Sequence, residues 1–222
     1  LIVLNNFLMM TILETIEILN AKTDLKFEVI DNIIYPKEGS EPFPQEIIDY
    51  ILSENFDLET LFKTYDMPKT SINHREIISE LTLMLADQLN RSEFALYVND
   101  MVVARKLFGF FYIPDITVTL KNKIYNEYGH LENPVSIIDI VSPSTEEKDK
   151  NQKKNDYQSI ASLQEYILIS QNSYKITQFV REGKTDWIMK VYDEENQTCL
   201  MTVGVKIDLK KLYKDIDFNC IK

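Results

Sequence analysis

Asp139 stands inside Val135-Ser-Ile-Ile-Asp-Ile-Val141, a run whose other residues are β-branched or small and suit a strand buried on both faces. An unpartnered carboxylate in such a strand is strongly destabilising, so Asp139 requires a metal ion, a cation or hydrogen-bond donors. A second carboxylate, Asp115, follows Pro114 and precedes the apolar alternation Ile116-Thr-Val118. Two carboxylates on neighbouring strands can hold Mg²⁺ or Mn²⁺, hard cations that favour oxygen ligands. The carbonyl of Ile140 and waters would complete the shell. Such a metal lowers the pKa of bound water and neutralises charge developing on a phosphodiester. A lysine nearby would orient the attacking water or stabilise the transition state, and Lys153 is the one so placed. The chemistry this set can perform is hydrolysis of a phosphodiester.

The elements around these residues must bring them together. Ser144 and Glu147 form a capping box, which predicts a helix from about Thr145 to Ile160. On it Asp149, Lys153, Tyr157 and Ile160 fall on one stripe. That stripe faces the sheet, because it carries Tyr157 and Ile160, so Lys153 leans toward Asp139 while Lys148 and Lys154 point away. Ile113, Asp115 and Thr117 share one strand face, with Ile116 and Val118 on the other; Pro114 suits a strand start. Read alone, Pro-Asp before a strand is an ordinary turn. Asn73, with Glu76 three residues on, predicts the N-cap of a helix within Lys69–Arg91. His74 lies at the start of its apolar stripe, where a packed, hydrogen-bonded histidine is commoner than a catalytic base. Glu28 shares a face with Ile30 in Leu25–Ile30, a strand paired with Ile33–Tyr35 across Asp31-Asn32. It is either a further inward carboxylate or an edge glutamate in solvent.

The remaining chain reads as scaffold. Thr11–Asn20 fits a short amphipathic helix, Pro36–Pro44 a loop, and Gln45–Phe62 one or two short helices broken near Ser53-Glu-Asn55. Phe94–Val98 is a strand, and Met101–Leu107 reads as another. Glu165–Ser170 is a further buried strand. Lys175–Arg181, Trp187–Tyr192 and Thr198–Thr202 alternate as an antiparallel meander, and Asp208–Tyr213 is a short helix. With 222 residues, 45% apolar content and no repeats, the expectation is one domain over 11–222, with 1–10 as an upstream extension. Five glycines leave no Gly-rich phosphate cradle. A net charge of −11 weighs against tight non-specific binding to nucleic acid. Cys199 and Cys220 lack metal-ligand spacing, which suits a reduced cytoplasmic compartment, and no stretch is long enough to span a membrane.

These residues also carry a family resemblance. Ile113-Pro-Asp-Ile-Thr-Val118, Ile137-Ile-Asp-Ile-Val-Ser-Pro-Ser-Thr145, Asp149-x-x-x-Lys153 and Leu163-Gln-Glu-Tyr-Ile-Leu-Ile169 resemble the Uma-two family of "putative restriction endonucleases", within the PD-(D/E)XK nuclease superfamily. Phe27-Glu-Val-Ile-Asp-Asn-Ile33 is similar to the family's N-terminal hairpin, and His74 to the histidine that opens its first long helix. The similarity runs from about Leu25 to Phe218 and is weakest over 36–70, which reads as an insertion. The resemblance implies an α/β fold with a restriction-endonuclease-like core: a central mixed β-sheet flanked by helices, and a C-terminal antiparallel meander. It implies Asp115 as the metal aspartate, Asp139 as the second acid and Lys153 as the lysine carried on the helix; position 141 is Val, so no in-strand lysine is present. Two departures stand out. Asp139 replaces the usual Glu, withdrawing the carboxylate by roughly 1.5 Å, and Asn32 stands where the hairpin often has Gly.

The function expected is that of a metal-dependent endonuclease with Mg²⁺ or Mn²⁺, acting on DNA, with a homodimer left open. The alternative is a catalytically inactive nuclease-fold interaction or regulatory module, dimeric, in which Asp139 and Lys153 form a buried ion pair without metal.

Overall fold

The computed structural model describes residues 2–23, 25–39, 41–65, 70–105, 110–143 and 145–219, the side chains of 2–11, 13 and 105 excepted. Ser144, Cys220, Lys69 and the stretch 106–109 therefore lie outside the described residues, and with them the Ser144 cap. The chain divides into two units, Leu1–Lys69 with Ala104–Ile113, and Thr70–Val103 with Pro114–Lys222.

Helix α1 (Ile2–Thr23) begins well upstream of the Thr11–Asn20 expectation. Strands β1 (Phe27–Ile30) and β2 (Ile33–Pro36) form the expected hairpin, with Ile30 opposite Ile33. Asp31 and Asn32 take φ of 49° and 65°, the left-handed pair that a two-residue hairpin turn needs and that Asp and Asn tolerate. Helices α2 (Gln45–Leu52) and α3 (Leu58–Thr64) follow, separated around Ser53-Glu-Asn55, with Asp57 capping the second through the Thr60 N–H. Next come α4 (Ile72–Gln88), β3 (Phe94–Val98), β4 (Val103–Arg105), β5 (Phe110–Tyr112), β6 (Ile116–Leu120) and β7 (Pro134–Val141). In the first unit, β1 is interior to a four-stranded sheet ordered β2-β1-β5-β4.

One continuous helix then runs as α5 (Glu146–Lys148), a π-helical segment over Asp149–Lys153, and α6 (Lys154–Gln158). Strands β8 (Glu165–Ser170), β9 (Ile176–Glu182) and β10 (Asp186–Tyr192) follow, then β11 (Thr198–Leu200), β12 (Lys206–Asp208) and α7 (Leu209–Leu212). The six-stranded sheet of the second unit is ordered β10-β9-β8-β7-β6-β3. It is mixed, because β7 and β8 are parallel while the other pairs are antiparallel. A parallel pair needs a long crossover, and the helix over 146–158 supplies it.

Alternation along the strands gives each face of this sheet its own cover. Ile116, Val118, Ile138, Ile140, Ile167 and Ile169 pack with Ile77, Leu81 and Leu85 of α4 in one core. The opposite face carries Ile137, Asp139 and Tyr166, and there Tyr157 of α6 meets Tyr166 edge-on at 5.0 Å. The chain is thus the expected mixed α/β fold.

Two local expectations differ. The cap of α4 is Ser71, whose Oγ accepts from the His74 N–H at 3.0 Å. Asn73 instead donates from Nδ2 to the carbonyls of Gln171 and Asp217. The meander stops at β10: β11 leaves the sheet to pair with β12, a strand that the sequence pattern did not predict and that meets the expected Asp208–Tyr213 helix only at Asp208. Cys199 on β11 is buried and free. Among the described residues no helix is long and apolar enough to cross a membrane.

Candidate active site

Asp115 closes the turn into β6, and Asp139 lies on β7 in an almost fully buried setting, 4% exposed. The backbone interlocks them. Asp139 Oδ1 accepts from the Asp115 N–H at 3.2 Å, and Asp115 Oδ2 accepts from the Ile140 N–H at 2.7 Å. The two acids are therefore neighbours across the β6–β7 seam rather than splayed apart. The N–H and C=O of a strand residue point toward the same neighbour, so the Ile140 carbonyl is turned to the Asp115 side too.

Lys153 arrives from the π-helical segment and is 3% exposed. Its Nζ lies 3.9 Å from Asp139 Oδ2 and 3.3 Å from Asp149 Oδ1. Lys148 and Lys154 are both partly exposed, and Lys154 reaches over the Phe179 ring at 5.6 Å. The stripe of Asp149, Lys153, Tyr157 and Ile160 is buried throughout. His74, at the start of α4, places Nε2 3.4 Å from Asp115 Oδ1. Five residues of the second unit thus converge: His74, Asp115, Asp139, Asp149 and Lys153. Glu28 belongs to the first unit, where it is fully buried on β1 and its Oε1 accepts from the Ile113 N–H at 3.2 Å.

Two contributors escape a reading of the sequence alone. Tyr166 donates its hydroxyl to Asp139 Oδ2 at 2.8 Å. Burial, then the charges of Asp139 and Asp149, push that phenol far above its ordinary value, so it stays protonated and acts only as a donor here. A tyrosine in a buried strand looks like core, and only its register beside Asp139 reveals the hydroxyl. Thr117, on β6, is buried, and its Oγ1 has no hydrogen-bond partner; its place on the face of Asp115 was the available signal.

The donor set suits a hard divalent cation. Each carboxylate has about four lone-pair sites. Two interlocked buried acids beside a strand carbonyl offer oxygen ligands of the kind a hard divalent cation favours.

The family model described as "Uma2: Putative restriction endonuclease" matches residues 63–210. Two proteins of Synechocystis sp. are similar: "Uncharacterized protein sll1609", 27% identical over 57% of this chain and 72% of its own length, and "Uncharacterized protein slr1290", 23% identical over 69% and 81%. A crystal structure from Anabaena variabilis, described as a "putative nuclease belonging to DUF820", superposes with a TM-score of 0.55. It covers 87% of this chain and 92% of the other, at 16% identity, a likeness of fold.

Proposed function

The chain belongs to the Uma2 family of "putative restriction endonucleases", and on that premise we propose that it hydrolyses phosphodiester bonds in DNA with Mg²⁺ or Mn²⁺ as its cofactor, in the cytoplasm. The observation that carries this reading is the interlocked Asp115–Asp139 pair with a buried lysine ammonium 3.9 Å from one of its oxygens.

Asp115, Asp139 and the Ile140 carbonyl would hold the cation. Bound there, it would supply an activated water and neutralise charge on the phosphate. His74 holds Asp115 from the helix side. Lys153, beside the Asp139 and Asp149 carboxylates, supplies positive charge for the phosphate oxygen on which charge develops. Tyr166 fixes the Asp139 carboxylate by donating to one oxygen, which leaves the other to its remaining partners. Glu28 takes no step in this scheme.

A second reading is favoured by one distance: the Lys153 ammonium is closer to Asp149 than to Asp139. In that reading Asp139, Lys153 and Asp149 form a metal-free buried ion network, and the protein is an inactive, dimeric interaction module. Supercoiled plasmid and single-stranded DNA, incubated with Mg²⁺ or with Mn²⁺, decide between the two. The enzyme reading expects metal-dependent cutting that falls about 100-fold or more in Lys153→Ala, the scale of losing a charge-stabilising group. No cutting by the wild type with either metal supports the inactive module.

A further inference from the structure

Resting on the nuclease reading, we propose that Tyr97, Lys123 and Tyr125 form a subsite for one unpaired nucleotide beside the acidic centre, with its base against the tyrosine rings and its phosphate at the lysine ammonium. Tyr97 lies on β3, opposite Thr117, which is itself opposite Ile137. Residues directly opposite across strands share a face, so Tyr97 lies on the face that carries Asp139. It is one step back from the row of Asp115 and Asp139, about 7 Å along the strands. The Lys123 ammonium sits 5.2 Å over the Tyr97 ring, and the Lys123 and Tyr125 side chains both lie close to that of Tyr97. Tyr125 remains 44% exposed and its neighbour Ile124 56%.

The loop bearing them is built rather than loose. Tyr125 bridges to Leu131, and Leu131 to Val103. The Glu132 N–H bonds to the Ile124 carbonyl, and the Asn126 side chain accepts from the N–H groups of Tyr128 and His130. Asn133 accepts from the Ile124 N–H and donates to the Asn122 carbonyl. Gly129, at φ +79°, closes the turn with nothing near the position of a Cβ. A loop held this way offers its rings with little backbone ordering cost on binding.

The stretch Lys121-Asn-Lys-Ile-Tyr-Asn-Glu-Tyr128 interleaves basic and aromatic residues. Lys121 and Lys123 are balanced by Glu127 and Glu132, so stacking rather than net charge must supply most of the binding. Stacking on exposed ring faces requires an unpaired base, which selects a single strand over a duplex. A lysine over an edge-strand tyrosine could instead serve only to protect the edge from pairing.

Fluorescence anisotropy of a fluorescein-labelled mixed-sequence single strand, in EDTA so that no cleavage occurs, separates these uses. The wild type is expected to bind the single strand more tightly than its duplex. Tyr125→Ala should weaken binding roughly tenfold or more, Tyr125→Phe should stay near wild type, and Lys123→Ala should weaken binding and flatten its salt dependence. Circular dichroism verifies that the Tyr125→Ala and Lys123→Ala proteins are folded. Equal affinity of wild type and Tyr125→Ala, preference for duplex, or no binding by the wild type overturns the subsite. Cleavage by the wild type in Mg²⁺ or Mn²⁺ would leave the nuclease reading standing in each of those cases.

Discussion

Lys153 is held by two carboxylates at once, 3.3 Å from Asp149 and 3.9 Å from Asp139, and this makes its removal different from the removal of either acid. Lys153→Met leaves two buried carboxylates without their cation, a loss of about 3–5 kcal/mol. Asp139→Asn keeps the Lys153–Asp149 pair, and its amide can accept from the Asp115 N–H while donating to the Tyr166 hydroxyl, so it should lose much less stability while abolishing hydrolysis. Urea denaturation of both variants measures the difference, and an Asp139→Asn protein as unstable as Lys153→Met would show that Asp139 serves the fold. Mg²⁺ should raise the melting temperature of the wild type and leave that of Asp139→Asn unchanged, because only a ligand that binds the folded state shifts the equilibrium. At this scale Asp139 is legible in sequence because a charge in an apolar run demands a partner. Tyr166 is not, because its hydroxyl gains meaning only from the strand beside it.

The helix that carries Lys153 is not a uniform α-helix: Asp149–Lys153 is wound as π. Such a segment amounts to one residue inserted into an α-helical ladder and is frequent at functional sites. Removing Asn151 should let the ladder close as α, turning Asp149 by about 100° relative to Lys153. The expected protein melts at or above the wild-type temperature and has lost metal-dependent cleavage. A lower melting temperature with cleavage retained would show that the winding supports only the fold. The stripe of Asp149, Lys153 and Tyr157 was readable because spacings of four residues share a face in either winding, and for the same reason the π segment itself was hidden. At the start of α4 both Ser71 and Asn73 are good caps by type. The carbonyls of Gln171 and Asp217, distant in sequence, draw the Asn73 side chain away.

Across the second unit, a buried acid on the other face of the sheet holds the C-terminal strands in place. Glu165 accepts from the Ser136 hydroxyl, from the Thr202 hydroxyl and N–H, and from Gln178 Nε2. Gln178 in turn accepts from the Tyr192 hydroxyl. Burial raises the Glu165 carboxyl above its ordinary 4.5, against the pull of these donors. The folded state therefore holds its proton more tightly than the unfolded chain does. Its contribution is fully present below pH 4.5 and declines as pH rises through the raised folded value. Glu165→Gln, which imitates the protonated acid, should gain stability relative to wild type as pH climbs above 4.5. Urea midpoints for both proteins at a series of pH values would reveal this, and a constant difference across the series would count against it. The route of β11 to β12 was invisible in the sequence for a related reason: alternation marks a strand but does not choose its neighbour.

The sequence by itself determined which residues had to be explained. A carboxylate in a doubly buried strand, a Pro-Asp entering another, and a lysine on the apolar stripe of the next helix are local statements about burial, and burial follows from hydrophobic pattern. Only the tertiary structure decided that Asp115 and Asp139 interlock through each other's backbone, that Lys153 is shared with Asp149, and that Tyr166 completes the group. Those contacts depend on strand order and register, which are selected by packing summed over the whole sheet and leave no trace at any one position.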